Sequence, residues 1–117
     1  EWMMDISKEH HEESDWSEVE YSEDKVKGYI NTALIDPNYF AIVIEKDEER
    51  IGFMAGKLLE YSFSHEKFAR ELDLYVVPSK RKGTAGIFMM KKFMDWAKIN
   101  NAIEVLEHFA NAYRRKL

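Results

Sequence analysis

Between Tyr39 and Val77 the chain carries three runs rich in β-branched and aromatic residues, parted by short polar breaks, and one strongly amphipathic segment follows them. Tyr39–Glu45 reads as a strand and Lys46-Asp47-Glu48-Glu49 as a turn. Arg50–Tyr61 is a second strand with Gly52 and Gly56 inside it, and Ser62–Lys67 is a loop. Arg70–Val77 is a third strand. Strict alternation puts its Leu72, Leu74 and Val76 on one face and Glu71, Asp73, Tyr75 and Val77 on the other. Short connections between successive strands make an antiparallel meander, because a parallel return needs a crossover of a dozen or more residues. Pro78 stops the third strand. Ile87–Ile99 then reads as a helix with Ile87, Met90, Phe93, Met94 and Ala97 on its buried side. A meander with a face to bury, beside a helix with a stripe to bury, makes an α/β sandwich rather than a bundle or an all-β domain.

The flanks add helices. Glu1–Ser14 reads as a helix with a sparse apolar stripe at Trp2 and Ile6. Ser22 is a natural N-cap for a second helix, with Glu23 and Asp24 in its first turn and Asp36-Pro37-Asn38 at its end. Beyond the long helix, Asn100-Asn101 is a stop, Ala102–Phe109 a fourth strand, and Asn111–Leu117 the start of another helix. The expected order is ααβββαβα, and 117 residues at 13.9 kDa suit one domain over 1–117.

Composition narrows the function. With no cysteine there is no disulfide scaffold, thiolate zinc site or thiol nucleophile. The longest apolar run, Tyr39–Ile44, is too short to span a bilayer, and no charged-then-apolar leader is evident, so a soluble, cytoplasmic domain is expected. The net charge of −5 hides an asymmetry. Residues 1–24 hold ten acids against Lys8 alone, a balance of −9, and residues 25–117 carry +4. An acidic chain argues against general nucleic-acid binding. The basic segment is local: Lys80, Arg81, Lys82, Lys91 and Lys92 lie within thirteen residues that contain no acid, which suits a small phosphorylated ligand or a solvated face.

The segment that carries chemistry is Leu74-Tyr-Val-Val-Pro-Ser-Lys-Arg-Lys-Gly-Thr-Ala-Gly86, which runs from a strand through a tight loop into a helix. The first turn of a helix has amides with no intrahelical partner, and its dipole adds partial positive charge there. Gly83 and Gly86 let the backbone approach a phosphate, Thr84 can cap, and Arg81 supplies fixed charge, so a pyrophosphate is the natural occupant. An ordinary strand–helix loop with exposed lysines accounts for the same residues.

Strand, Pro78, Arg81 and Gly86 in this spacing resemble the pyrophosphate loop of the GNAT acetyltransferases, Arg/Gln-x-x-Gly-x-Gly/Ala after a strand ending in Val-x-Pro. The middle glycine position holds Thr84, with Gly83 one residue early. The resemblance takes in the helical acidic start, the hairpin containing Arg50-Ile-Gly52-Phe, and Trp96-Ala97-Lys98, in the style of small phage and bacterial members. It implies a GNAT-like central mixed, mostly antiparallel sheet flanked by helices. It also implies acetyl-coenzyme A as cosubstrate and no metal. The pantetheine arm would pair with backbone at Val76 and Val77, and the pyrophosphate would rest on Arg81, Lys82, Gly83, Thr84, Ala85 and Gly86, with Asn111 nearby. Lys80 or Lys82 would reach the terminal phosphate, and backbone N–H near Val76 would polarise the carbonyl.

The implied reaction is direct attack by a primary amine, of a small molecule or a protein, on the thioester. Glu71, Asp73 and Glu107 are the carboxylates that could serve as base; each also reads as an exposed carboxylate on a strand's polar face. Tyr113 is the candidate acid, on a helix whose register stays open. Anchored on Lys116-Leu117, the family's tyrosine position falls at Arg114; anchored on Asn111, it falls at about Leu117 or beyond. The family's first strand and last strand pair have no counterpart here, so terminal strands are expected to be missing. A second reading keeps the fold without turnover, as an interaction module whose acidic N-terminal helix binds a basic protein. A homodimer completing its sheet across the interface is compatible with either. Adjacent His10 and His11 point about 100° apart on a helix and make a poor metal pair; His65 and His108 have no partner spacing.

Overall fold

The computed structural model describes residues 4–5, 8, 11–12, 18–107 and 113–117. Residues 1–36 and 37–117 form two compact units. In the first, Met4, Asp5, Lys8, His11 and Glu12 are helical, and the rest of the helix expected over 1–14 lies outside the described residues. Helix α1, Glu23–Ile35, begins as expected at Ser22, whose side chain accepts from the Lys25 N–H. Four of the ten acids of the acidic N-terminal stretch, Glu1, Glu9, Glu13 and Asp15, lie outside the described residues.

The second unit is a five-stranded sheet in the order β1-β2-β3-β4-β5 with one long helix against it. Strands β1 (Tyr39–Lys46), β2 (Glu49–Glu60) and β3 (Lys67–Val76) form the antiparallel meander. Asp47 and Glu48 turn the first hairpin with φ of 53° and 65°, the two left-handed positions of a tight two-residue loop. A 3₁₀ turn at Pro78–Lys80 leads to helix α2, Ala85–Ile99, which ends where Asn101 takes a φ of 65°. The chain returns as β4, Ala102–Glu107, parallel to β3, so the sheet is mixed.

Two expectations are corrected. The last segment is a strand: Tyr113–Lys116 forms β5, antiparallel to β4, and Tyr113 stands in register with Glu107. A polar, Arg-rich heptad has no strong period of its own, and the open edge of β4 offers it a ladder. The alternation of β3 also fails midway. Ala55 pairs with Asp73 and Gly56 with Glu71, which leaves Leu72 as an extra, unpaired residue. Beyond this bulge the faces exchange, so Glu71 is buried at 3% exposure while Leu72 is exposed.

Helix α2 buries Met89, Phe93 and Ala97, a stripe at four-residue spacing, against Met54, Leu58, Ala69, Ala102 and Val105. Met90 and Met94 sit on the flank of that stripe, and Ile87, expected inside, is exposed. Phe40 and Trp96 extend the aromatic contact around Phe93, with ring centroids 5.4–5.9 Å apart. The helix can sit this low because the Phe93 ring lies on Gly56; a β-carbon there would collide with Cε1 and Cζ of the ring. Gly56→Ala is therefore expected to destabilise the protein by about 1–3 kcal/mol, as overpacked cores do, read as a lower denaturant midpoint at unchanged slope.

Candidate active site

The parallel pairing of β3 with β4 covers only the start of β3, where Lys67, Ala69 and Arg70 face Ala102, Val105 and Leu106. Past Arg70 the two strands part. The gap, flanked by α2 and β5, is a cleft of about 790 Å³. Leu74 and Val76 line it from β3, Ile87, Met90 and Met94 from α2, Glu107 from β4 and Arg115 from β5. Arg81, Gly83 and Gly86 close one end.

Backbone polarity follows from the ladder. Val77 N–H donates to the Ile51 carbonyl at 2.8 Å, so by antiparallel alternation the amide and carbonyl of Val76 point away from β2, toward the gap. Both backbone groups of Val77 are engaged within the protein, its carbonyl accepting from Lys80 N–H at 2.9 Å. The Val76 carbonyl accepts from Arg81 Nε at 2.7 Å, and the guanidinium lies over the Tyr75 ring, 5.2 Å from its centroid. These two contacts hold Arg81 at the mouth of the cleft.

The N-terminus of α2 stands beside it. Thr84 occupies the cap position, but its side chain makes no capping hydrogen bond, contrary to expectation. Phe88 N–H is bonded to the Thr84 carbonyl, and the amides of Ala85, Gly86 and Ile87 precede the first bond of the helical ladder. Gly83 N–H is spent on the Lys80 carbonyl. A β-carbon on Gly86 would meet nothing within 4 Å, so the backbone there borders open space. Unsatisfied amides, a fixed guanidinium and a bare glycine suit a diphosphate. Lys80 and Lys82 are exposed outside the cleft lining, whereas Lys91 is part of that lining.

Of the carboxylates singled out from the sequence, Glu107 alone lines the cleft. It is 6% exposed, and Arg115 Nε meets its Oε1 at 2.9 Å. Glu71 stands opposite Gly56 and Asp73 opposite Ala55, neighbouring β2 positions on opposite faces, so the bulge separates two residues that alternation placed together. Tyr113 lies on β5, and Asn111 and His108 fall outside the described residues. Glu104, also buried, accepts a hydrogen bond from Tyr61 Oη. Sequence reasoning missed Arg115. The signal was its two-residue spacing from Leu117, which packs against the core just past the end of that strand. Among the described residues no group of three or more His, Asp or Glu converges to hold a metal ion, and no helix is long and apolar enough to cross a membrane.

Proteins of known structure share this fold. An acetyltransferase from Vibrio fischeri superposes with a TM-score of 0.68 at 23% identity, covering 95% of this chain and 86% of that one. A predicted acetyltransferase from Clostridium acetobutylicum, solved with acetyl-CoA, gives a TM-score of 0.75 at 15% identity over 91% of this chain and 71% of that one. The aminoglycoside 6′-N-acetyltransferase AAC(6′)-IG of Acinetobacter haemolyticus gives 0.69 at 17% identity, over 77% and 64%. At these identities the likeness is one of fold. No curated protein matches the sequence. The model of the acetyltransferase (GNAT) family matches residues 3–116, nearly the whole length, and the chain belongs to that family of acyltransferases.

Proposed function

We propose that this chain is an N-acetyltransferase that takes its acetyl group from acetyl-CoA, held in the β3–β4 cleft, and passes it to a primary amine by direct attack. One observation carries the reading: the uncapped amides of α2, Arg81 and open Gly86 converge at the end of a gap between parallel strands. Acetyl-CoA supplies a thioester whose carbonyl carbon accepts the amine nitrogen. The chain's residues hold and orient. The amides of Ala85, Gly86 and Ile87, with Arg81, hold the diphosphate, and Lys82 and Thr84 border it from the exposed side of the loop. Val76 N–H, turned toward the gap, serves the pantetheine arm or the thioester oxygen. Leu74, Val76, Met90 and Met94 exclude water along the cleft.

Glu107 is the carboxylate placed to receive the proton that the acceptor ammonium must lose. Arg115 fixes its orientation through the 2.9 Å contact and adds positive charge to the same wall, suited to a departing thiolate. Glu71 and Asp73 stand on the strand beside the gap, and neither is part of its lining. The acceptor is a small-molecule or protein amine; among proteins of this fold one is named for an aminoglycoside and one for a ribosomal-protein alanine.

Two measurements test this reading. Acetyl-CoA is expected to raise the melting temperature, and both Arg81→Glu and Gly86→Val to abolish the rise, the first by charge reversal and the second by filling the phosphate approach. An unchanged melting curve at millimolar acetyl-CoA overturns the proposal. Glu107→Gln is expected to lower turnover about 100-fold or more while leaving the acetyl-CoA shift in place. A variant with full turnover removes Glu107 from the proton path.

A further inference from the structure

Val76 turns both of its backbone groups toward the gap, and the two are not equally available. An extended arm laid along β3 would exchange two bonds with such a residue, as a neighbouring strand does: one from its N–H and one to its carbonyl. β4 pairs with β3 only as far as Arg70, so no strand among the described residues receives the Val76 N–H. The carbonyl is already engaged, because Arg81 Nε donates to it at 2.7 Å. The guanidinium stands where the second bond to an arm would form.

The two printed partners of that guanidinium are both neutral: the Val76 carbonyl, and the Tyr75 ring with its centroid 5.2 Å away. Arg81 lines the same end of the cleft as Gly83 and Gly86, beside the first-turn amides of α2. A diphosphate on those amides brings charged oxygens within the same corner. Hydrogen bonds between ionised partners are shorter and about twice as strong as neutral ones. The phosphate is therefore the better partner for Arg81 when the corner is filled, and the carbonyl is its partner when the corner is empty.

We propose that Arg81 determines which thioesters the cleft accepts, by covering the Val76 carbonyl until a diphosphate draws the guanidinium away. The proposal rests on the reading of the cleft as an acetyl-CoA site and adds a selection rule to it. A donor whose arm continues into a diphosphate uncovers its own backbone partner as it binds. A thioester whose arm ends without one meets Val76 with only the N–H on offer. The two ends of the donor are thus coupled through one side chain, and the diphosphate does more than anchor.

Titration calorimetry with two probes, CoA and pantetheine at millimolar concentration, tests the rule. Arg81→Ala is expected to weaken CoA about tenfold or more, by loss of a charge-assisted bond, and to tighten pantetheine about threefold, by release of the carbonyl. Opposite signs are the signature, since a merely structural role for Arg81 would weaken both. Arg81→Gln keeps a donor for the carbonyl without the charge, and is expected to weaken CoA while leaving pantetheine unchanged. In the unmodified chain ADP is expected to tighten pantetheine, and in Arg81→Ala to have no such effect. Pantetheine that binds Arg81→Ala no better than the unmodified chain overturns the proposal. If CoA nevertheless binds the unmodified chain, the acetyl-CoA reading stands and the selection rule alone falls; if CoA does not bind, both fall. Should Arg81→Ala fail to fold, the effect of ADP on the unmodified chain decides, and its absence overturns the rule.

Discussion

The position of the Phe93 ring over Gly56 is the contact from which the rest of the second unit takes its dimensions. A helix packs on a sheet at a height set by the side chains between them. Here the largest one sits where the sheet has no side chain at all. That lets Met89 and Ala97, one turn either way, reach the same apolar floor of Met54, Leu58 and Val105. It also fixes where the helix begins. With Phe93 seated, the first turn at Ala85–Ile87 comes to lie beside the end of β3, and its amides are delivered to the mouth of the cleft rather than to solvent at large.

The cleft arises from a conflict between local preferences. A parallel pair gains ladder bonds by staying in contact, yet β3 and β4 pair only over Lys67–Arg70 and then part. The bulge at Leu72 comes two residues after Arg70, the last residue paired with β4. A bulge increases the local twist of its strand, which accounts for the second half of β3 parting from β4. The outward amide of Val76 is thus left with no β4 partner. An unsatisfied row of backbone groups at a sheet interior is costly unless something extended lies against it. Arg81 satisfies one such group, the Val76 carbonyl, and is itself aimed by doing so.

Much of this was legible in the residues. The meander, the long helix and the basic loop that leads into that helix each rest on signals confined to a few neighbours: β-branched runs, a 3.6-residue stripe, and Pro78 before a basic, glycine-bearing turn. What escaped depended on partners distant in sequence. The face of Glu71 is decided by an extra residue relative to β2, which no alternation within β3 reveals. Tyr113–Lys116 becomes a strand because β4 has an edge to offer, not because Arg-Arg-Lys prefers extension. Thr84 has the chemistry of a cap, but its hydroxyl does not reach the first-turn amides. Arg115 belongs to the cleft through its pairing with Val105, and Val105 is placed by the parallel return.

Openness at the cleft is in tension with stability. Leu74, Val76, Met90 and Met94 are only partly buried, so apolar surface that a closed core would hide stays in contact with water. Each such side chain forgoes part of the roughly 25 cal/mol per Å² that full burial contributes. Arg81, Lys91 and Arg115 are spread along the same walls, opposed within the lining by Glu107 alone. The lining thus carries more basic than acidic side chains. A ligand bearing negative charge at one end and an apolar arm along its length complements both features. Folding and ligand binding are then linked through the same side chains, and the stability lacking in the open cleft is returned by whatever fills it.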